Sequence, residues 1–403
     1  MNTLLYALFE ALQRHRWLRM LACAFVFTSL GNGLTQVVIF GLLLSWKAPA
    51  SLLTVAYLFA TLPGFIGSLI GEKLCRFYSP VHLLILTELL GLTALLFPLL
   101  GIIHYHSVTA LLAVQSTEAL LTGMSWPALT LLFKRALTAD ELPAATCLEN
   151  VIFASQVLLG MGLGIVLFDY LPVLTLLAID AASFIGSLVM LSLAGSALTL
   201  RAAGPAKITT SEPLHWKRLS AQQKRSLLLL PALAAVGAPA MALLPALAQQ
   251  IHPTNAAGLA LPLLFARSLG QLCGPMLLNR DSLPRYANRN RPLLTCLSLF
   301  LLAYGLIPLC AGVQTAALGM IFVAHLASNI VFAAGTYGVL SHFETRQVSA
   351  ASGKAWRWQT LSASVFTCFA AVLAATLGAG QALYIVSASA LIMVAAVMAR
   401  YRE

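Results

Sequence analysis

The sequence predicts an all-α membrane protein with twelve transmembrane helices arranged as two six-helix bundles. Of its 403 residues, 60% are hydrophobic and only 9% are charged, whereas about a quarter of the residues in soluble domains are charged. A soluble chain this poor in charge could not cover its surface with polar groups, but a surface that faces lipid must be apolar. The basic residues lie in short loops between apolar blocks, so the net charge of +11 indicates membrane topology, and we expect no nucleic-acid partner.

Twelve apolar runs are long enough to cross a bilayer, which takes about 20 residues. They cover approximately residues 19–45, 50–71, 80–103, 107–132, 143–167, 172–197, 226–250, 256–278, 292–312, 316–341, 352–377 and 380–399. The longest polar stretch separates the sixth run from the seventh. We therefore predict an N-terminal bundle over residues 1–197, a cytoplasmic basic linker over 198–225 and a C-terminal bundle over 226–403.

The distribution of basic residues predicts the orientation of the chain. With both termini in the cytoplasm and twelve alternating spans, 22 of the 24 basic residues fall on the cytoplasmic side. The opposite side receives Lys47 alone, and Arg267 lies within a span. A wrong number of spans would scramble this bias, so the positive-inside rule supports the count of twelve.

The N-terminal residues before the first span predict a short additional helix. Leu4, Leu5, Leu8, Phe9 and Leu12 fall on one helical face, because residues three and four positions apart are neighbours on a helix. Such an amphipathic segment is typical of a helix that lies along the membrane surface.

Twelve runs in a 6+6 arrangement with a basic central loop resemble the major facilitator superfamily over the whole chain. Within it, Phe27-Thr-Ser-Leu-Gly-Asn-Gly-Leu-Thr35 resembles the first helix of the branch that contains enterobactin exporters and macrolide efflux proteins, and Ala178-Ile-Asp-Ala-Ala-Ser-Phe184 resembles its sixth helix. The resemblance implies a secondary transporter of a bacterial cytoplasmic membrane. It also implies that the first, fourth, seventh and tenth helices line a central cavity around which the two bundles rock.

The sequence departs from the family pattern at three places. Gly71 and Arg76 match the loop after the second helix, but Cys75 stands where the superfamily carries an Asp that helps to latch the cytoplasmic side. Asn32 stands where the exporter branch often carries an Asp. The glycines of 160–164 lack the Gly-Pro pair of the drug–proton antiporter motif, so antiport does not follow from that motif.

Ionisable residues inside the predicted spans are functional candidates, because an unpaired charge in hydrocarbon is costly. Glu118, midway along the fourth run, is either a proton carrier or cation contact, or a hydrogen-bonded structural carboxyl. Arg267 in the eighth run keeps its proton. It is either a substrate anchor, a partner of Glu118 across the two halves, or part of a structural ion pair. Glu88 and Asp180 lie on helices that are peripheral in the family fold, and we expect structural roles for them.

Uncharged and weakly basic residues complete the predicted substrate site. His325 and Asn329 share one face of the tenth run, and Asn32 and Gln36 share one face of the first. His325 belongs either to a proton path or to the core, and the Asn and Gln residues either bind substrate or hold helices together. Trp126, beside a proline, either marks a kink or offers a surface on which a flat substrate stacks.

We predict a cytoplasmic gate from residues near the cytoplasmic ends of the spans. Its candidates are Arg76, Arg135, Glu149 and Arg357, with Arg135 or Arg357 as partner of Glu149. The Trp-Arg-Trp run at 356–358 is typical of an interfacial anchor, since aromatic and basic residues favour the headgroup zone.

The resemblance, together with the ionisable residues inside the spans, implies proton-coupled export of a small organic molecule, such as a siderophore or other metallophore, or a drug-like compound. The alternatives are an importer of a metal chelate or small solute, and a non-transporting membrane sensor or assembly factor. The chain has no nucleotide-binding loop and no hydrolase or metalloprotease motif, so we expect no enzymatic activity and no cofactor. Its seven cysteines include no CxxC pair, and we expect no metal site. The expected partners are the substrate, protons and the lipid bilayer, and we expect a monomer.

Overall fold

The long apolar runs form long helices, because a helix satisfies its backbone hydrogen bonds internally, as a bilayer requires. The structure is a computed structural model that describes residues 3–46, 56, 58–104, 106–199, 212–251, 256–310 and 313–401. Within these residues a helix occupies each of the twelve predicted runs. Lys47 and residues 200–211 of the predicted linker lie outside the described part of the chain.

The described residues of the first half contain nine α-helices. They are α1 (Leu4–Arg14), α2 (Arg16–Ser45), α3 (Pro63–Leu74), α4 (Pro80–Ala94), α5 (Leu96–His104), α6 (Val108–Ala136), α7 (Leu142–Ser155), α8 (Gly162–Phe168) and α9 (Val173–Thr199). Helices α4 and α5 form the third span together, and α7 and α8 form the fifth, joined by a π-helical turn over Gln156–Met161. The side chains of Ser79 and Ser107 cap α4 and α6, which explains where these two helices begin.

The second half contains seven α-helices in the described residues. They are α10 (Ala221–Ile251), α11 (Ala256–Cys273), α12 (Leu283–Asn288), α13 (Asn290–Leu306), α14 (Gln314–His342), α15 (Val348–Leu377) and α16 (Ala379–Ala399). Gly378 alone separates the last two spans and has a φ of +85°. A glycine adopts this angle without steric cost, which permits the abrupt reversal of the chain.

Eight of the described helical segments are long and apolar enough to cross a membrane. Helix α6, the fourth predicted span, is not among them. It carries Gln115, Ser116, Thr117 and Glu118 in consecutive positions near its middle. A helix that turns one face toward a polar cavity does not need to be apolar on every side.

The hydrophobic core is divided over most of its depth and shared at one end. The second half has its own cluster, which includes Val236, Phe300 and Ile321, and smaller clusters lie within the first half. A further cluster joins both halves and contains Phe133 from the first and Leu340 from the second. The two halves are therefore tightly packed against each other at the end where this shared cluster lies.

The two ends of the chain lie at the same end of the molecule. The Leu4 amide donates to the Leu278 carbonyl at 3.0 Å, and the Arg225 Nε donates to the Ala287 carbonyl of the same loop region at 2.8 Å. Trp216, in the linker that precedes Arg225, packs against Tyr401 with ring centroids 6.2 Å apart. The basic residues predict that this end is cytoplasmic, and it is called the cytoplasmic end below.

Helix α1 is the short helix that the N-terminal pattern predicts. It buries Leu4, Ala7, Leu8 and Ala11 against the protein. The side chain of Arg14, at its last turn, forms a 3.1 Å ion pair with Glu141 in the loop between α6 and α7. Together with the hydrogen bond from Leu4 to Leu278, this places α1 across the cytoplasmic end, in contact with both halves.

Candidate functional site

A cavity of about 370 Å³ lies between the two halves. One wall comes from α2, the turn before α3, α6 and the α7–α8 segment. The other comes from α10, α11, α13, α14 and α15. Its polar lining residues are Asn32, Gln36, Thr61, Gln115, Glu118, Thr122 and Gln156 on the first wall, and Arg267, Gln271, His325, Ser328, Asn329, Gln359 and Thr360 on the second.

Helical spacing brings the polar residues of the first wall together. Asn32 and Gln36 lie one turn apart on α2, and Gln115 and Glu118 lie one turn apart on α6. Helix α2 can approach the fifth span closely because Gly160 lacks a side chain: a Cβ atom there would lie 2.6 Å from the Ser29 carbonyl oxygen. This close packing gives the glycine run a structural role.

A carboxylate oxygen of Glu118 is buried at the cavity wall and has no hydrogen-bond partner among the described residues. This atom is Oε1. The neighbouring hydroxyls do not serve it, because Ser116 donates to the Leu112 carbonyl and Thr117 donates to the Ala113 carbonyl. Glu118 thus lines the cavity with a buried carboxylate oxygen that has no hydrogen-bond partner among the described residues.

The second wall is organised around α14. The Nε2 atom of His325 is 2.7 Å from the Tyr304 hydroxyl, and its ring packs edge-on against Phe300 at a centroid distance of 5.6 Å. Asn329, one turn further along, donates through Nδ2 to the Gln271 carbonyl on α11. Contacts with Tyr304 and Phe300 thus fix the orientation of the His325 side chain, which lines the cavity.

Glu118 and Arg267 line the same cavity from opposite halves, but no ion pair within 4.0 Å joins Glu118 to any described basic residue. The alternative of a direct Glu118–Arg267 salt bridge is therefore not realised in this structure.

The cavity is continuous toward the end opposite the cytoplasmic one. A second cavity of about 400 Å³ shares Gln36 and Arg267 with the first and adds Phe40, Leu244 and Leu264. Along α2, α10 and α11 these additional residues lie further from the cytoplasmic end than the residues of the first cavity. The open space between the two halves thus extends in that direction.

An aromatic layer covers the cytoplasmic side of the cavity. Trp126 packs against Trp356 with centroids 4.9 Å apart, and Phe153 stacks on Phe332 at 6.0 Å. Each pair joins the first half to the second. Trp126 does not line the main cavity. It lines a separate void of about 10 Å³ on the cytoplasmic side of the aromatic layer. The surface available to a flat ligand therefore belongs to Trp356 and not to Trp126.

Hydrogen bonds that join the two halves lie on the cytoplasmic side of this aromatic layer. The Thr130 and Ser352 hydroxyls are 2.8 Å apart, and the Lys134 Nζ donates to the Leu340 carbonyl at 2.6 Å. These contacts and the shared hydrophobic cluster close the cytoplasmic end.

An ion pair at Glu72 joins the two halves at the same end. Glu72 lies 2.9 Å from the Arg357 guanidinium on α15 and 3.7 Å from Arg76 on its own half. Burial raises the pKa of the nearby Cys75 thiol to about 12, so that side chain stays neutral. Glu72, three residues earlier, is the acidic residue that pairs with Arg357.

Arg357, one of the two partners considered for Glu149, pairs instead with Glu72. Glu149 is buried on α7 beside the void under Trp126, and no described ion pair includes it. Arg135 lies exposed in the last turn of α6. Arg76 and Arg357 are thus brought together around Glu72, while Glu149 lies deeper in the closed region.

Glu88 and Asp180 lie away from the cavity, between helices of the first half. Glu88 accepts a 2.8 Å hydrogen bond from the Thr28 hydroxyl. Asp180 accepts hydrogen bonds from the hydroxyls of Thr35 and Ser183. Both carboxyls are buried, and each accepts a hydrogen bond from a threonine hydroxyl on α2. These contacts support structural roles.

The structure places six of the seven predicted substrate-site residues on one cavity: Glu118, Arg267, His325, Asn329, Asn32 and Gln36. The sequence did not identify Trp356, since the Trp-Arg-Trp run is also typical of an interfacial anchor. It did not identify Glu72 as a gate residue either. Helical spacing could have found it, because positions 72 and 75 share a face of the helix. In the described residues, no group of three His, Cys, Asp or Glu side chains is arranged to hold a metal ion.

No protein-family model matches the chain. A stretch of 74 residues, 18% of the chain, is 58% identical to a Pseudescherichia vulneris protein named "Uncharacterized 29.9 kDa protein in crtE 3'region". The match spans 27% of that protein, so the chain covers about a quarter of the length of this curated relative.

Solved structures resemble the chain over nearly its whole length. A bacterial homologue of the iron transporter ferroportin, in an outward-facing state, has a TM-score of 0.68 at 13% identity, over 95% of this chain and 98% of that one. The human organic anion transporter MFSD10 has a TM-score of 0.68 at 15% identity, over 95% of this chain and 97% of that one. The major facilitator superfamily transporter FucP, in its outward conformation, has a TM-score of 0.62 at 15% identity, over 96% of this chain and 98% of FucP. At these identities the similarity shows the fold alone, and this chain has the major facilitator fold.

Proposed function

We propose that this chain is a secondary transporter that exports a small organic molecule across a bacterial cytoplasmic membrane, in exchange for protons, by alternating access. The observation that carries the proposal is the polar cavity between the two halves, with Glu118 on one wall and Arg267 on the other. A purely structural bundle does not need ionisable groups in such a position, because each is costly in the membrane.

The contacts between the halves support alternating access. Glu72–Arg357 and Thr130–Ser352 join the two halves on the cytoplasmic side of the cavity. The cavity extends in the other direction. If the bundles rock about the cavity, these contacts break and the cytoplasmic side opens, so the site faces each side of the membrane in turn.

Glu118 is the proposed proton carrier. It is the only carboxyl among the described lining residues of the cavity, and its Oε1 atom has no competing hydrogen-bond donor. Arg267 cannot take this role, because a guanidinium does not release its proton in a protein. In the outward-facing state Glu118 takes up a proton, and after the bundles rock it releases the proton to the cytoplasm as substrate binds.

Export and the range of substrates rest on the resemblance of the first and sixth helices to the enterobactin and macrolide exporter branch. A cavity of about 370 Å³ is within the size range of sites for drug-sized ligands. Siderophores, other metallophores and drug-like compounds are the proposed substrate range. Both walls of the cavity come from one chain, which supports a monomer as the working unit.

The proposal is tested by comparing the medium of cells that express different variants. We expect mass spectrometry to find at least one organic compound that accumulates in the medium with the wild-type protein. Accumulation should be lost with Glu118→Gln, which fixes the neutral state, and on collapse of the proton gradient. Glu88→Gln is the matched control, because Glu88 is also a buried carboxyl of the first half but lies outside the cavity. A medium that is the same with and without the wild-type protein contradicts export.

A further inference from the structure

Side-chain amides are concentrated in the central cavity. The predicted spans contain eleven Asn and Gln residues, and seven of these line the cavity, four on the first wall and three on the second. Among its described lining residues, Asp, Glu, Lys and Arg are represented by Glu118 and Arg267 alone. An amide offers one acceptor oxygen and two N–H donors without a charge. The walls are therefore suited mainly to hydrogen bonds with uncharged polar groups.

Several of these amide groups have no hydrogen-bond partner inside the protein. In the described residues, the buried atoms without a partner include Asn32 Oδ1, Gln115 Oε1 and Nε2, Gln271 Oε1 and Gln359 Oε1, together with Trp356 Nε1. Native proteins leave few buried polar atoms unpaired, because each one costs free energy. Their position on both walls of one cavity indicates a site that an occupant completes through hydrogen bonds.

The unpaired atoms require an occupant that both donates and accepts hydrogen bonds. Four of them are amide oxygens, which accept, whereas Gln115 Nε2 and Trp356 Nε1 donate. A carboxylate only accepts and an ammonium group only donates, so neither serves the whole set. A hydroxyl does both, and it remains a suitable partner when a side-chain amide is rotated by half a turn. The pattern therefore favours an occupant that carries several hydroxyl groups.

Aromatic residues line the cytoplasmic side of the same space. Trp356, Phe153 and Phe332 belong to the lining, and the two phenyl rings stack with centroids 6.0 Å apart. The face of an aromatic ring carries partial negative charge, so it attracts the weakly positive C–H groups of a saturated ring whose carbons carry oxygen. A ring with C–H groups on its face and hydroxyls at its edge matches both the aromatic residues and the unpaired amides.

We infer that the transported molecule carries a saturated ring with several hydroxyl groups, as the sugar ring of a glycoside does. Its hydroxyls bind the amides of Asn32 and Gln115 on the first wall. On the second wall they bind the amides of Gln271 and Gln359. A C–H face of the ring packs against the aromatic residues, and Glu118 stays available for the proton. This inference rests on the proposed function, since it names the class of molecule that the transporter carries.

The test compares probes that share a phenyl group. Phenyl pyranosides of glucose, galactose, mannose and xylose carry hydroxyls in different arrangements. The comparison probes are 2-phenoxytetrahydropyran, which has the same ring without hydroxyls, and N-acetylglycine anilide, which carries amides instead. Isothermal titration uses the full-length protein in phospholipid nanodiscs, because detergents with sugar headgroups would compete. At least one glycoside should bind at least about tenfold more tightly than either comparison probe, because several hydroxyls gain hydrogen bonds.

Methionine variants test the assignment to the amides, since Met is close to Gln in length but has an apolar end. Gln115→Met and Gln359→Met should each lower the affinity for the glycoside about three- to tenfold and leave that for 2-phenoxytetrahydropyran unchanged. Without a ligand, both variants should unfold at a temperature no lower than the wild-type protein, because each loses an unpaired buried amide. Asn150→Leu is the matched control and should keep the glycoside preference, because Asn150 is a buried amide outside the cavity.

Three results overturn the inference. The first is a comparison probe that binds the wild-type protein as tightly as the best glycoside. The second is a glycoside preference that both methionine variants retain in full. The third is the absence of binding by every glycoside at millimolar concentration.

A second measurement on the same samples separates this inference from the proposed function. Spin labels on the two halves at each end of the molecule report whether the bundles exchange between two states. Exchange without a glycoside preference overturns only the substrate class. A single rigid state in which neither end opens overturns alternating access as well.

Discussion

Breaking the ion pair between Glu72 and Arg357 should open the cytoplasmic end. The two side chains are 2.9 Å apart, each is only 14% exposed, and they belong to different halves. The pair therefore stabilises only the state in which the cytoplasmic end is closed. The loss of an ion pair costs between about 1 kcal/mol for an exposed pair and about 3 kcal/mol or more for a buried one. The loss of this largely buried pair should therefore raise the ratio of open to closed molecules about 5- to 150-fold.

The assay measures the distance between spin labels on Asp140→Cys and Glu344→Cys in a cysteine-free background. Both positions are exposed at the cytoplasmic end, one in each half. We expect a longer distance to become populated in Glu72→Gln and in Arg357→Gln. The double variant should resemble the single ones, because the second change removes an interaction that is already lost.

Arg76→Gln is the matched control. Arg76 also contacts Glu72, at 3.7 Å, but within the same half, so its loss should leave the distance distribution unchanged. Equal effects of Arg76→Gln and Arg357→Gln would refute the assignment of the pair as a contact between halves. An unchanged distribution in Glu72→Gln would refute it as well.

Three further predictions concern orientation, the N-terminal helix and a buried carboxyl. A reporter inserted within 198–225 should be cytoplasmic and one beside His106 external; the opposite labelling would contradict the assigned orientation. Leu8→Asp should detach α1, because Leu8 is only 5% exposed. In the spin-label assay this variant should populate the state with an open cytoplasmic end. Unchanged distances would show that α1 does not stabilise the closed end. Asp180→Leu should lower the unfolding free energy by about 1–3 kcal/mol, because the Thr35 hydroxyl loses its acceptor. Thermal unfolding should show a smaller loss of stability in Asp180→Asn. Equal losses of stability in the two variants would contradict the hydrogen-bond account.

The sequence predicted the helices well because the bilayer imposes a length and an apolar composition on each span. It also predicted that Glu118 and Arg267 merit attention, since ionisable residues in a span are rare. The family resemblance placed the helix of Glu118 on the central cavity but not the eighth span, which carries Arg267. The position of Arg267 on the same cavity depends on the rotation of that helix, which its sequence does not reveal.

The gate was harder to predict because it depends on pairs of residues from different helices. From the sequence alone, several acidic residues are possible partners of Arg357. Only the packing of α3 against α15 selects Glu72 over Glu149. Trp356 and Trp126 illustrate the same difficulty. Each is a tryptophan near the cytoplasmic part of a span, and only the rotation of α15 gives Trp356 the cavity surface.

The accessibility of one cavity position from both sides of the membrane tests the central claim most directly. Ala238 on α10 lines the cavity, and Ala238→Cys in a cysteine-free background can be labelled with a membrane-impermeant maleimide. Alternating access predicts labelling in right-side-out and in inside-out vesicles. It also predicts that the ratio of the two rates changes with pH in the otherwise wild-type protein but not in Glu118→Gln. Labelling from one side only, or a pH dependence that persists in Glu118→Gln, would contradict the account.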